Sequence, residues 1–261
     1  MKKLKQNGIA HIGLVLVVMI IAAVAGAGYL VYSKQSKTEP VSSANAEEVA
    51  EKSQAKIKSL GINLDYYDPA INMAGDLKFK KANFSGGMQM IFFEYGYEVA
   101  ANSAGAAKKN PQPTFIAPLG TKVMSLVDGE VSDVPKLYSG DYSVHVQAPG
   151  SDLIFETEHV INVQVKQGDK VKAGQVIAEV SDYDAKNYDG LGLFEIGILK
   201  GGNPPSHLCT FDYLDDSIKE ETLDKITALT KSWEEYRGDT SIYDESKVVI
   251  PGCLTHDPIE G

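Results

Sequence analysis

A glycine-spaced segment in the second half of the chain constrains its fold more than any other part of the sequence. Residues 165–180 read VKQGDKVKAGQVIAEV, in which apolar residues alternate with turn-forming pairs. Gly168 and Gly174 fall where short strands must reverse, and glycine is favoured there because it adopts positive φ at little cost. Val165, Val171 and Ile177 are then expected to fill the core between the turns. The pattern predicts successive short β-strands rather than a helical bundle.

A second constraint lies at the N-terminus, where residues 12–32 contain no charged side chain. A helix over this range is about 31 Å long at about 1.5 Å per residue, which matches the hydrocarbon core of a bilayer. We predict a transmembrane anchor at 12–32 and a cytoplasmic segment at 1–11, because the lysines before the span favour the cytoplasmic side. The C-terminal domain is then extracytoplasmic. The alternative is a signal peptide cleaved near residues 25–27, whose apolar region is normally shorter.

Composition divides the rest of the chain into further regions. Residues 33–60 are rich in Ser, Ala and Glu and contain no aromatic residue, which predicts a polar stalk. Aromatic residues and strand-like runs begin in 61–104, which we interpret as an N-terminal β extension. Within the C-terminal region 215–261, apolar residues recur on one face of 215–238 and predict an amphipathic helix.

Charge and cysteine content restrict the partners and the compartment. The formal net charge is −10, which argues against a nucleic-acid partner because phosphate binding needs a basic surface. The chain has two cysteines, Cys209 and Cys253. Outside the cytoplasm a disulfide would persist, so we predict a bridge between them; the alternative is two unrelated buried thiols.

Three segments together resemble one protein family. APLGTKVMSLVDGEV at 117–131 resembles the A-P-x-G-T-x-V and D-G-x-V motifs of the lysostaphin-type (LytM-like) zinc endopeptidases. EHVINVQVKQGDKV at 158–171 resembles their Y-x-H-L segment running into V-x-x-G-x-x-V, and LFEIGI at 193–198 resembles their final H-x-H-F-E-I strand. The first segment favours this family over biotinyl and lipoyl carrier domains, which share the glycine-spaced turns. The resemblance covers about 105–214 and implies a mostly β barrel-sandwich hybrid, the duplicated hybrid motif.

The same resemblance locates the family's zinc ligands in this sequence. The family holds zinc with the His and Asp of H-x-x-x-D and with the second His of H-x-H. These positions are occupied here by Asn110, Thr114 and Leu193. Leucine has no lone pair for a metal, and an amide and a hydroxyl are poor zinc ligands beside imidazole and carboxylate. The resemblance therefore implies a degenerate member that has lost its zinc, and we predict no metal and no cofactor.

Three histidines, His145, His159 and His207, are further candidate site residues. His159 matches the second-shell histidine that assists catalysis in the family, and without a metal we predict that it is a vestige. His145 and His207 are expected to be surface or turn residues. The alternative is an unorthodox metal site in which His145 and His159 face each other across a hairpin.

These observations favour a non-catalytic extracytoplasmic module that binds peptidoglycan or an envelope protein and regulates cell-wall remodelling. Some degenerate members of the family activate wall amidases, so the regulatory role is an analogy. The first alternative is an active peptidoglycan metalloendopeptidase with a non-standard metal site, and zinc is expected only in that case. The second alternative is a purely structural envelope component.

Overall fold

The computed structural model of the chain describes residues 54–81, 89–100 and 107–260. Over these residues the fold is mostly β with one α-helix, which confirms the mostly β part of the predicted fold class. None of the described helical segments combines the length and the apolar character that crossing a membrane requires. The predicted anchor at 12–32 lies outside the described residues.

Short strands come first along the described chain. Strands β1, β2 and β3 form a three-stranded antiparallel sheet, β4 joins the large sheet described next, and β5 pairs with β6. Their bounds are β1 (Tyr67–Asp68), β2 (Met73–Ala74), β3 (Leu77–Lys78), β4 (Phe92–Phe93), β5 (Glu98–Val99) and β6 (Lys108–Lys109).

A large antiparallel sheet forms the main body. The order along its main path is β12-β9-β10-β11-β14-β15-β16, while β7 pairs with β4 and β14, and β13 pairs with β8 and β11. The bounds are β7 (Thr114–Pro118), β8 (Lys122–Met124), β9 (Gly129–Asp133), β10 (Tyr142–Gln147), β11 (Leu153–Ile161), β12 (Lys170–Val171), β13 (Val176–Val180), β14 (Leu191–Lys200), β15 (Ser206–His207) and β16 (Ile259–Glu260). Because β14 pairs with both β7 and β11, side chains from these three strands meet on one face.

The glycine-spaced turns occur where the sequence predicts them. Gly168 has φ +89° and Gly174 has φ +78°, so both occupy the left-handed region that favours glycine. Their amides donate to Val131 O and Ser125 O, both at distances of 2.8–2.9 Å. Val171 and Ile177 lie in the buried core as predicted, whereas Val165 is only partly buried against it. The turns therefore fix where β12 and β13 enter the large sheet.

The helix predicted in the C-terminal region is α1 (Asp216–Arg237). Asp215 caps its N-terminus by accepting a hydrogen bond from the Ser217 amide at 3.0 Å, and Gly238 ends it with φ +72°. Trp233 is fully buried and packs edge-on against Phe79 with a centroid distance of 5.1 Å. The apolar face of α1 thus covers the small N-terminal strands. Three short 3-10 helices also occur in the described part, at Ala185–Asn187, Thr210–Tyr213 and Glu245–Lys247.

The folded region begins earlier than the compositional change suggests. Ile57 and Leu60 fall in the predicted stalk, 33–60, yet both side chains are buried. The backbone of Ile57 forms a parallel bridge with Leu214, immediately before α1. The last residues of that polar segment therefore pack as part of the folded unit, because they supply apolar side chains to its core.

The predicted disulfide is confirmed. Cys209 and Cys253 are bonded with their Cα atoms 6.1 Å apart, and both residues are buried. The bridge joins the segment after β15 to the loop before β16, so it holds the C-terminal region against the edge of the large sheet. A bridge that closes a loop of this length is expected to stabilise a fold by about 2–4 kcal/mol.

Candidate functional site

One face of the large sheet carries a row of polar residues. Strand register places Glu158 of β11 directly opposite Glu195 of β14, and Glu195 directly opposite Thr114 of β7. Residues paired in this way share one face of a sheet. We call the residues that meet here the polar cluster: Asn110, Gln112, Thr114, Glu156, Glu158, His159 and Glu195. Two like charges in direct opposition are unfavourable, so this row is not explained by sheet stability alone.

Asn110 and Thr114, the first two predicted ligand positions, are in contact. Asn110 Nδ2 lies 3.4 Å from Thr114 Oγ1, and it also donates to Gln112 O at 2.6 Å and to Glu94 O at 3.2 Å. Thr114 Oγ1 lies 3.1 Å from Glu195 Oε1. The amide and hydroxyl groups are therefore engaged with neighbouring protein atoms.

Leu193, the third predicted ligand position, lies on the same face of β14 as Glu195. The two residues are separated by one position along the strand, and Leu193 pairs with Ile116 of β7. Its side chain is buried. The three positions thus offer an amide, a hydroxyl and a hydrocarbon. This donor set does not fit the zinc ion of the family, because zinc in proteins is held by thiolate, imidazole and carboxylate groups.

Gln112 connects two of the carboxylates. Its Nε2 donates to Glu156 Oε1 and lies 3.2 Å from Glu158 Oε2. Gly197 faces Glu156 across the strands, and a Cβ atom at Gly197 would lie 2.7 Å from Glu156 Oε1 and 3.0 Å from Gln112 Nε2. The glycine therefore leaves the space that this hydrogen bond occupies.

His159 is held rigidly at the edge of the polar cluster. It has a positive φ of 56°, and its side chain is buried. Its Nδ1 lies 3.0 Å from Asp141 Oδ2, and its ring stacks on Tyr183 with a centroid distance of 4.0 Å and an interplanar angle of 6°. A carboxylate at Nδ1 favours the tautomer with the proton on Nδ1, which leaves Nε2 with a lone pair.

The environment of Asp141 maintains its charge beside His159. Burial acts to raise the pKa of Asp141, but hydrogen bonds from Ser139, Ser181 and His159 outweigh it and lower this pKa below its ordinary value. Asp141 is therefore an ionised partner for the imidazole in the neutral pH range.

The pKa values of the two facing glutamates are shifted upward, opposite to that of Asp141. Burial, followed by the charge of Glu158, raises the pKa of Glu195 to about 8, against a smaller lowering by Thr114. Burial, followed by the charge of Glu156, raises the pKa of Glu158. With a pKa of about 8, Glu195 is mostly protonated at neutral pH, so this face holds its carboxyl groups in a partly desolvated setting. Such a setting attracts a cation or a proton.

His145 and His207 were predicted to be surface or turn residues, and this is wrong for His207. His207 is buried, and its Nδ1 lies 3.9 Å from Glu156 Oε1 without a hydrogen-bond partner among the described residues. His145 is half-buried, and its Nε2 lies 3.1 Å from Glu156 Oε2. The reason is the pairing of β15 with β14 and β16, which encloses His207.

The acidic members of the polar cluster were not singled out from the sequence. Glu156 and Glu158 are two positions apart in the strand-like run LIFETEHV, which is a signal that both point to one face of a strand. In LFEIGI, Glu195 lies between Phe194 and Ile196, which indicates one polar side chain on a face of an otherwise apolar strand. The opposition of Glu158 and Glu195, however, depends on strand register, which the residue pattern alone does not specify.

A cleft of about 620 Å³ lies at a different place, between the ends of β9, β10 and β12. Its lining includes Asp128, Gln147, Pro149 and Lys170 and contains no member of the polar cluster. Its lining offers no histidine beside its acidic residues, so the chemistry favours the polar cluster as the candidate site.

Comparison with known families and structures places this geometry in context. Residues 113–202 match the model of Peptidase family M23. A search of curated proteins finds no match to the sequence. The matched range contains the strands that carry Thr114, Glu158, His159 and Glu195, so most of the polar cluster lies inside it.

Several solved structures are similar over part of the chain. The catalytic domain of the M23 protein EnpA from Enterococcus faecalis is 23% identical, with 45% of this chain and 85% of that chain covered and a TM-score of 0.35. The catalytic domain of lysostaphin from Staphylococcus simulans is 20% identical, with coverage of 41% and 77% and a TM-score of 0.34. The SpoIIQ–SpoIIIAH pore-forming complex contains a chain that is 16% identical, with coverage of 61% and 96% and a TM-score of 0.38. The match to the family model alone identifies residues 113–202 as a domain of Peptidase family M23.

Proposed function

We propose that this protein is a membrane-anchored, extracytoplasmic binding module whose M23 domain recognises peptidoglycan or an envelope protein and regulates cell-wall remodelling. One observation carries the proposal: Asn110, Thr114 and Leu193, at the positions of the family's zinc ligands, offer no imidazole or carboxylate. In this proposal the domain is a degenerate member of its family, and the described sheet is its barrel-sandwich hybrid.

The contacts of these residues support a change of role rather than a vacant metal site. Asn110 Nδ2 donates to backbone carbonyl groups, and Thr114 Oγ1 lies within hydrogen-bond reach of Gln112 O and Glu195. Leu193 is buried. A side chain that serves as a zinc ligand must instead present an unshared lone pair to the ion.

The chemistry of water supports the loss of the family's hydrolytic mechanism. Water bound to zinc has a pKa near 7, whereas bulk water has a pKa of about 15.7. At about 1.36 kcal/mol per unit, this difference corresponds to roughly 12 kcal/mol. A general base such as His159 typically contributes about 100- to 10,000-fold, or roughly 3–5 kcal/mol, which is much less.

The proposed location follows from the N-terminal segment. Residues 12–32 form the anchor, the lysines in 1–11 stay in the cytoplasm, and the M23 domain faces the wall. The disulfide between Cys209 and Cys253 supports this location, because disulfides persist in oxidising compartments.

The test uses the full chain in detergent micelles, incubated with purified peptidoglycan and, separately, with soluble muropeptides. We expect the protein to sediment with peptidoglycan and to leave the muropeptide cross-links intact, while lysostaphin serves as the positive control for cleavage. Cross-linking in membranes followed by identification of bound envelope proteins tests the second kind of partner. Absence of both wall and protein binding would contradict the proposed function.

A second candidate function is favoured by one observation. Glu158, His159 and Glu195 each place one potential ligand atom within 4.8 Å of the others, so this face has groups that the family's own positions lack. We therefore retain an active peptidoglycan metalloendopeptidase with a non-standard metal site as the alternative. Chelator-sensitive cleavage of muropeptides that is abolished by His159→Ala would establish it in place of the binding module.

A further inference from the structure

Besides its proposed wall-facing role, the polar cluster has the composition of a cation site built from residues other than the predicted ligand positions Asn110, Thr114 and Leu193. Glu158, His159 and Glu195 are contributed by two neighbouring strands, β11 and β14. One ring nitrogen of His159 and one carboxylate oxygen from each glutamate all lie within 4.8 Å of one another. Both glutamates are partly buried and His159 is buried, so the three groups form an enclosed set rather than an exposed acidic patch.

The imidazole supplies an observation that is independent of the two carboxylates. The His159 side chain is 7% exposed, and its Nδ1 is occupied by Asp141 at 3.0 Å. Its Nε2 has no hydrogen-bond partner among the described residues. Stacking on Tyr183 fixes the ring plane. A buried imidazole whose Nδ1 binds a carboxylate and whose Nε2 is unpaired has the arrangement that metal-binding histidines commonly show.

We propose that Glu158, His159 and Glu195 bind one divalent transition-metal ion, Zn²⁺ or Mn²⁺, with Asp141 as the outer partner of His159. The two carboxylate oxygens and Nε2 provide three ligands, and a fourth position stays open to water or to an oxygen atom of a bound molecule. Imidazole favours Zn²⁺ over Mg²⁺ and Ca²⁺, while the carboxylates also accept Mn²⁺.

The geometry requires a modest contraction. Ligand distances of about 2.0–2.2 Å in a tetrahedral zinc site correspond to about 3.4 Å between ligand atoms. The present limit of 4.8 Å between these atoms can close by rotation of the two glutamate side chains.

A second cluster with suitable residue types does not carry the same inference. Cys209, Asp212 and His256 also lie within 4.8 Å of one another. Cys209 is bonded to Cys253, so its sulfur is not available as a thiolate ligand. His256 lies 2.7 Å from Asp212 and is largely exposed, which makes it a suitable control histidine.

The test measures binding of Zn²⁺ and Mn²⁺ by the full chain in detergent after chelator treatment, by calorimetry and by metal analysis. We expect one ion per chain, with Zn²⁺ bound more tightly than Mn²⁺ and both more tightly than Mg²⁺. Glu158→Gln and Glu195→Gln should each weaken Zn²⁺ binding by at least about 10-fold, and Asp141→Asn by about 10- to 100-fold. His256→Ala should leave binding unchanged.

Folding of each variant is checked by its melting temperature without metal. The glutamine variants preserve side-chain shape, so they are expected to fold. Equal Zn²⁺ affinity in the parent chain, Glu158→Gln and Glu195→Gln, or no saturable binding by the parent chain, would overturn the proposal. The assay contains no wall material, so its outcome is separate from that of the peptidoglycan-binding test.

Discussion

The glycine-spaced turns and the polar cluster lie in the same M23 domain but differ in how they relate to the family pattern. In the turns, Gly168 and Gly174 adopt positive φ and the following strands supply buried Val171 and Ile177. In and beside the polar cluster, the positions predicted for the family's zinc ligands hold Asn110, Thr114 and Leu193. Packing and backbone conformation therefore specify this fold. The chemistry of the polar face depends instead on a few side chains, which can differ without altering the strands.

The largest expected effect tests the packing side of this comparison. Ile177→Ala removes a side chain that is 1% exposed, so we expect the free energy of unfolding to fall by about 2–5 kcal/mol. Urea unfolding followed by circular dichroism measures it. Lys172→Ala, at an exposed position in the same segment, should change stability by less than about 0.5 kcal/mol. Equal effects from the two variants would contradict the assigned role of the core.

A pH-dependent effect concerns Glu94, a buried carboxylate next to the polar cluster. Burial, followed by the charges of Glu245 and Asp244, raises the pKa of Glu94 from 4.5 to about 7. The folded state therefore binds this proton more tightly than the unfolded state, so stability falls as pH rises from about 4.5 through 7. Glu94→Gln should remove this loss and be more stable than the parent at pH 8 by up to about 3 kcal/mol.

Urea unfolding at pH 4 and pH 8 checks this prediction. The parent and Glu94→Gln should have similar stability at pH 4 and differ at pH 8. Glu98→Gln replaces an exposed carboxylate a few residues away and provides the control. A stability difference that is the same at both pH values would show that the substitution acts through packing rather than through the proton.

A smaller effect is expected at Gly197, because Gln112 and Glu156 occupy the space that a larger side chain would need. Gly197→Ala would place a Cβ atom 2.7 Å from Glu156 Oε1, so we expect a loss of about 1–3 kcal/mol through overpacking. Thermal unfolding measures the loss. Gly201→Ala is the matched control, since a Cβ atom there meets no heavy atom within 4 Å. A neutral Gly197→Ala would mean that Gln112 and Glu156 separate at little cost.

The smallest effect is expected at Thr114. Thr114→Val keeps the shape of the side chain and removes the hydroxyl that lies 3.1 Å from Glu195 Oε1. We expect a loss of about 0.5–1.5 kcal/mol, the usual net value of one hydrogen bond. Chemical unfolding at pH 7 measures it, with Thr121→Val in the adjoining turn as a comparison. A loss above about 3 kcal/mol would indicate that Thr114 supports the fold rather than the site.

The sequence predicted the parts of the fold that depend on local patterns. The turns at Gly168 and Gly174, the helix that follows Asp215 and the mostly β class are all readable from residue spacing. The disulfide followed from the compartment inferred for Cys209 and Cys253. These features depend on neighbours along the chain or on a small number of cysteines.

The candidate site was predicted less completely, for a physical reason. The family resemblance predicts Asn110, Thr114 and Leu193 as site positions. The charged members of the polar cluster come together only through the register of the strands. Glu158 and Glu195 are far apart in sequence and become direct neighbours because β11 pairs with β14. The enclosure of His207 likewise depends on β15 and β16, which are too short to be predicted from alternation.

The bridge between Ile57 and Leu214 has a mechanical consequence. The Ile57 amide donates to Tyr213 O and its carbonyl accepts from the Asp215 amide, both at 2.8 Å, while its side chain is fully buried. Tension applied to the chain before residue 54 would therefore load the segment at the start of α1 first. The Lys58 and Ser59 amides also donate to Leu126 O, at 2.9 and 3.2 Å, so a pull on this end would pass from the start of α1 into the sheet that carries the polar cluster.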